Sequence, residues 1–242
     1  MIGKLEIVAD EGALANSSAE RFILAARDAT AARGSFTVAL AGGSTPKAMF
    51  TLLAAEPLRS RVDWGSVRFF FGDERCVSPD NPDSNYGMAK KNLFDPLGID
   101  AKNVHRMRGE AAPEEAALEY QAILLKELGQ TPVLDLVYLG MGPEGHTASL
   151  FPGVFSQFDA QRWVVTTYIE KLSTNRITLT PRAINAARAI VLVTGGDAKA
   201  AALAEVLAGA RNPDLYPAQV LNPEHGTLTW LVDRAATKGL SP

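Results

Sequence analysis

Phe36-Thr37-Val38-Ala39-Leu40-Ala41-Gly42-Gly43-Ser44-Thr45-Pro46 passes from a mainly apolar run through two glycines to a proline. Phe36–Ala41 has the composition of a strand buried on both faces, as the strands of parallel sheets are. The glycines permit a tight turn and close backbone approach. Pro46, with its fixed φ and no N–H, suits the first turn of a helix over Pro46–Ala55, and Thr45 before it is the expected N-cap. Strand, glycine turn and helix in succession form the repeating unit of an α/β fold.

The same alternation extends both ways along the chain. Strands are expected at Leu5–Val8, Val67–Phe71, Leu134–Leu139, Trp163–Ile169, Arg176–Leu179, Ala189–Thr194 and, near the end, Leu228–Val232. Helices are expected at Ser18–Arg33, Asn85–Leu93, Pro113–Leu128, Pro181–Ala187 (Thr180 as N-cap) and Asp197–Ala208. The fold class is therefore α/β, an open and mainly parallel sheet flanked by helices. No repeat or low-complexity linker divides the chain, so one domain over residues 1–242 is expected.

Hydrophobic residues make up 47% of the 242 and charged residues 21%, which excludes disordered and fibrous classes. A net charge of −3 excludes a polybasic nucleic-acid binder, so an anionic ligand must be held by a few local groups. The single cysteine, Cys76, can form no internal disulfide and makes no zinc cage. No apolar run approaches the ~20 residues that span a bilayer, and the first residues lack the plan of a signal peptide. A cytoplasmic protein without membrane or nucleic-acid partners is expected, as a monomer or small homo-oligomer.

Ligands of parallel sheets bind in loops at the carboxyl ends of strands, and three such loops carry chemistry. Gly42-Gly43-Ser44-Thr45 offers amides, hydroxyls and a helix start, the ingredients of a phosphate cradle. Gly72-Asp73-Glu74-Arg75-Cys76 reads as a loop with three consecutive charges, which must pair with each other or with a ligand. Gly140-Met141-Gly142-Pro143-Glu144-Gly145-His146-Thr147 satisfies G-x-G-x-x-G, yet Pro152-Gly153 follows too soon for the crossover helix of a dinucleotide site. It also has the spacing of a P-loop, with histidine where the phosphate-binding lysine belongs. Glu144, two residues before His146, can orient the imidazole of a general base.

Together these motifs resemble the 6-phosphogluconolactonase family, relatives of glucosamine-6-phosphate deaminase. Leu40–Pro46, Phe71–Arg75 with Ser84-Asn85-Tyr86, and Gly140–Gly153 carry the likeness; Arg176–Thr180, Gly196–Ala200 and the segment from Pro217 to Trp230 extend it. The resemblance implies a modified Rossmann-like fold and hydrolysis of 6-phospho-D-glucono-1,5-lactone to 6-phosphogluconate in the oxidative pentose phosphate pathway, with no metal or cofactor. It implies His146 as general base, Glu144 orienting it, Arg75 stabilising negative charge, and Asp73 holding Arg75 or a sugar hydroxyl. Phosphate binding falls to Gly42, Gly43, Ser44, Thr45, Arg176 and Lys199. Many members carry aspartate where this chain has Glu144.

Two other readings share these residues. An amino-sugar phosphate deaminase or isomerase would use the same phosphate grip but a catalytic glutamate after the histidine, where Thr147-Ala148-Ser149-Leu150-Phe151 has no carboxylate. A non-catalytic sugar-phosphate binder would need the cradle, Arg176 and Lys199 but not His146.

Overall fold

The computed structural model describes residues 2–154 and 158–240. Six strands form a parallel sheet: β1 (Lys4–Val8), β2 (Phe36–Leu40), β3 (Val67–Phe71), β5 (Leu136–Gly140), β8 (Ala189–Thr194) and β9 (Thr227–Asp233), in the order β1-β9-β8-β5-β2-β3. Three more, β4 (Asp73–Arg75), β6 (Val164–Ile169) and β7 (Thr174–Leu179), pair antiparallel as a second sheet in the order β4-β7-β6. The α/β reading holds for the larger sheet. The expected strands over 163–169 and 176–179 belong instead to the smaller one, and the charged stretch after β3, expected as a loop, forms its strand β4.

The helices follow from local signals. Asp10 caps α1 (Glu11–Arg33) by accepting the Ala13 N–H at 2.9 Å, and Gly34, at φ 77°, ends it in the left-handed conformation that costs glycine least. This helix begins seven residues before the expected Ser18. Helix α2 (Ser44–Leu53) also starts early, with Gly43 rather than Thr45 at the cap and Pro46 inside the first turn. Helix α3 (Asn85–Ala89) passes through a wider turn over Lys90–Phe94 into α4 (Asp95–Leu97). Beyond them lie α5 (Pro113–Leu128), α6 (Pro181–Asn185), with Thr180 as its cap, and α7 (Ala200–Ala208).

Helix α1 packs against α2, β2 and β9, whereas α5 lies on β6 and β7. One hydrophobic core runs from Leu14 to Ala236, with Phe36, Phe69, Phe70 and Phe71 fully buried along β2 and β3. Gly72 joins the two sheets: its N–H donates to Leu40 O of the large sheet and its carbonyl accepts from Leu179 N of the small one, both at 2.9 Å.

The strand order fixes where a ligand can enter. From β2 the chain moves outward to β3, but from β5 it moves the other way through β8 to β9, so the order reverses between β2 and β5. Those two strands pair only at Val38 with Leu136 and Ala39 with Val137. Beyond that point their carboxyl ends part, leaving the crevice expected at a topological switch point.

Candidate active site

Two adjoining lobes, of about 270 and 220 Å3, occupy this crevice and share Asp73, Arg75, Pro143, His146 and Ala148 as walls. The first adds Glu144, Ser149, Phe151, Lys171, Leu172 and Arg176; the second adds Gly42, Gly43, Gly140, Gly142 and Lys199.

The loop after β5 closes on itself. Thr147 Oγ1 donates to Gly140 O at 2.9 Å, Gly142 N to His146 O at 2.9 Å, and Gly145 N to Gly142 O at 3.0 Å. Gly145 has φ 80°, and a Cβ on Gly142 would lie 2.1 Å from the imidazole, so the ring rests directly over a residue that must have no side chain. No crossover helix follows through Val154, against a dinucleotide site. The imidazole also stacks on Phe151, with centroids 4.0 Å apart.

Glu144 Oε2 approaches His146 Nδ1 at 3.2 Å, an ion-pair distance whose alignment falls short of hydrogen-bond geometry. Glu144 Oε1 accepts from Lys171 Nζ at 2.8 Å. Burial alone would raise the Glu144 pKa, but the Lys171 hydrogen bond, its own backbone N–H and His146 outweigh it and bring it down to about 2. Burial also governs His146: it lowers the imidazole pKa despite the opposing pull of Glu144 and Asp73, with Lys199 adding to the lowering. The histidine is therefore held neutral beside an ionised carboxylate.

The small sheet supplies the opposite charge. Arg75 and Arg176 are register partners on β4 and β7, and each has a buried Nε without a hydrogen-bond partner. Burial, then the Arg75 charge, lowers the Arg176 pKa, although a guanidinium stays cationic. Two neighbouring cations with unused donors are costly until an anion joins them. Asp73 is buried and accepts from Ser149 Oγ at 2.6 Å and Asn85 Nδ2 at 3.1 Å. Of the two partners expected for it, Arg75 or a sugar hydroxyl, Arg75 is not among these hydrogen bonds, and its Nη1 donates instead to the Asp83 carbonyl.

Glu74 points away from the cavity lining and is structural. Its carboxylate accepts from Ser84 Oγ at 3.1 Å and from the N–H groups of Asn85 and Tyr86 at 2.8 Å each, anchoring the start of α3. That anchoring places Asn85 against Gly42, where a Cβ would come within 1.8 Å of Asn85 Oδ1. Asn85, Ser149, Phe151 and Lys171 were given no role from sequence. Asn85 and Ser149 lie within the recognised motifs, whereas Lys171 sits in a turn with no pattern of its own.

Gly42 and Gly43 line the second lobe, but Ser44 and Thr45 lie outside the lining of both lobes, at the start of α2. Lys199 lies with the glycines and Arg176 in the neighbouring lobe. Burial lowers the Lys199 pKa, against the pull of Glu144. Cys76 is half-buried; burial pushes its thiol up, partly offset by Arg176, so it is no activated nucleophile. Among the described residues, no group of three His, Cys, Asp or Glu side chains is placed to hold a metal, and no helix is long and apolar enough to cross a membrane.

Fold and cavity define an α/β protein with a switch-point site that joins an imidazole–carboxylate pair to arginines with unused donors. Residues 9–230 match the profile of the family described as glucosamine-6-phosphate isomerases/6-phosphogluconolactonase, and the chain belongs to that family. A 6-phosphogluconolactonase of Synechocystis sp. is 40% identical over 219 residues, covering 88% of each chain. One of Nostoc sp. is 38% identical over 242 residues, covering 98% of each. A solved 6-phosphogluconolactonase from Trypanosoma cruzi superposes with a TM-score of 0.89 at 27% identity, over 100% of this chain and 99% of that one.

Proposed function

We propose that this chain hydrolyses 6-phospho-D-glucono-1,5-lactone to 6-phospho-D-gluconate, with His146 as the general base. The observation that carries the reading is a partly buried histidine, its Nδ1 3.2 Å from Glu144 Oε2, in a cavity where Arg75 and Arg176 each keep a buried Nε without a hydrogen-bond partner among the described residues.

The chemistry follows from these groups. A proton on Nδ1 faces Glu144 and leaves the Nε2 lone pair to take a proton from water. The resulting hydroxide attacks the lactone carbonyl, and the electron pair of the C=O moves onto oxygen. Arg75 faces that developing charge from β4. As the tetrahedral intermediate collapses, the bond to the ring oxygen breaks and the imidazolium returns its proton to that oxygen. Asp73, fixed by Ser149 and Asn85, accepts from a sugar hydroxyl.

At neutral pH the phosphate carries about −1.5 to −2 charge. We assign it to the amides of Gly42 and Gly43 with Lys199 beside them and Arg176 in the adjoining lobe, and the partnerless Arg176 Nε supports this. The absence of any carboxylate from Thr147 through Phe151 favours the lactonase over the deaminase. One core connecting both sheets supports a single domain, and we place the enzyme in the cytoplasm.

The test is the decay of freshly generated lactone followed by phosphorus NMR, because the lactone also opens in buffer. Loss faster than in buffer is expected. An unchanged decay would overturn the reading.

A further inference from the structure

The turn between β6 and β7 reaches the catalytic loop through one side chain. This turn, Glu170–Leu172, ends on Ser173, whose φ of 47° lies in the left-handed region and whose N–H donates to Glu170 O at 3.0 Å. Such a conformation is uncommon outside glycine. Lys171 and Leu172, just before it, form part of the wall of the larger lobe. Lys171 Nζ donates to Glu144 Oε1, so the carboxylate is divided: one oxygen faces the ammonium and the other faces His146 Nδ1.

We propose that Lys171 is a positioning residue for the reaction, holding Glu144 Oε1 so that Oε2 stays against His146 Nδ1 and Nε2 remains the base. The inference rests on the lactonase reading above. Its support is the contact itself and its location. The ammonium comes from the small sheet, the glutamate and histidine from a loop of the large one, so the bond spans the two halves of the cavity. The Lys171 side chain is 68% exposed, and exposed ion pairs add little to stability. Its consequence therefore falls on the orientation and charge of Glu144.

The charged groups around the pair are Glu170 and Lys171 from the β6–β7 turn, Asp73 and Arg75 from β4, Arg176 from β7, Lys199 from the turn after β8, and Glu205 of α7. Among the described residues, Lys171 is the cation that hydrogen-bonds Glu144. Without it, the full carboxylate charge acts on the imidazole. His146 then holds a proton to higher pH, and the carboxylate is free to rotate away.

The test compares kcat and KM for the parent, Lys171→Met and Lys171→Arg between about pH 5.5 and 8, the range in which imidazole titrates. For Lys171→Met we expect kcat near neutral pH to fall about five- to twentyfold with KM within about twofold, the signature of lost transition-state stabilisation. We also expect the acid limb of the profile to move to higher pH and Lys171→Arg to restore most of both. A raised KM at unchanged kcat would mean that Lys171 binds substrate directly, and unchanged kinetics would mean that the contact has no role; either overturns the inference. Lys171→Gln serves in place of the methionine variant should that one not fold. A parent enzyme that opens the lactone no faster than buffer would instead overturn the lactonase reading itself, and full activity of His146→Ala would overturn only the role of His146 as base.

Discussion

The large parallel sheet and the small antiparallel sheet meet at Gly72, yet they furnish the site differently. The large sheet contributes through loops that follow its strands: the glycine cradle after β2, the His146 loop after β5 and Lys199 after β8. These are turns in which backbone approach matters, and glycines dominate them. The small sheet contributes through side chains on the strands themselves, Asp73 and Arg75 on β4 and Arg176 on β7. Strand residues two apart share a face, so a three-residue strand suffices to aim both Asp73 and Arg75 at the cavity. In the proposed mechanism the loop side carries the proton chemistry, and the strand side carries much of the charge that receives the anion.

Substitutions can break that division, beginning with the largest expected loss of rate. His146→Ala removes the base and is expected to lower kcat by about 100-fold or more while leaving binding of 6-phosphogluconate largely intact. Turnover near that of the parent, measured on fresh lactone, would take the proton chemistry away from the β5 loop. Gly142→Ala sets a methyl 2.1 Å from the imidazole. Displacement of the ring by about an ångström is expected to cost about 10- to 100-fold in kcat, with KM little changed. Were this variant as fast as the parent, the ring would not need its place over Gly142.

On the strand side, Arg176→Ala is expected to weaken 6-phosphogluconate binding about tenfold or more, as loss of a charge-assisted hydrogen bond does. Lys199→Ala, from the opposite lobe, is expected to do the same, and titration calorimetry would read both. A variant that binds as tightly as the parent would lose its phosphate role.

Asp135 gives the contrast at the other end of the strands. Buried just before β5, it accepts from Thr37 N at 2.9 Å and Arg33 Nε at 3.0 Å, far along β2 from the glycine turn. Asp135→Ala is expected to cost about 1–3 kcal/mol of stability and to leave kcat unchanged, checked by denaturant melts beside the rate assay. A large loss of rate in a folded protein would show the two ends of the sheet to be coupled.

The same division explains what the sequence revealed. Mainly apolar runs such as Phe36–Leu40 and Ala189–Thr194 announce strands buried on both faces, and glycine and proline punctuate the loops between them. The second sheet was less legible. Nothing in Asp73-Glu74-Arg75 marks it as a strand, because pairing with the distant residues 176–178 creates it. The partners of Asp73 were equally hidden, since Ser149 and Asn85 come from loops that only the folded chain brings together. The β2–β5 switch point depends on strand order, which no local pattern encodes. Lys171 belongs to a turn with no motif, and its contact with Glu144 depends on the path of the β6–β7 hairpin.

The role proposed for the partly buried His146 imidazole, a base that is neutral before it meets water, is decided by the pH dependence of kcat/KM. Burial lowers the His146 pKa from 6.5, so the base is protonated and activity lost only below that value, while Glu144, at about 2, stays ionised throughout. With the spontaneous opening of the lactone subtracted and the titration of the substrate phosphate measured separately, an acid limb belonging to the enzyme is expected with its midpoint below pH 6.5, absent from the residual activity of His146→Ala. A midpoint above pH 6.5, or the same limb persisting in His146→Ala, would contradict it.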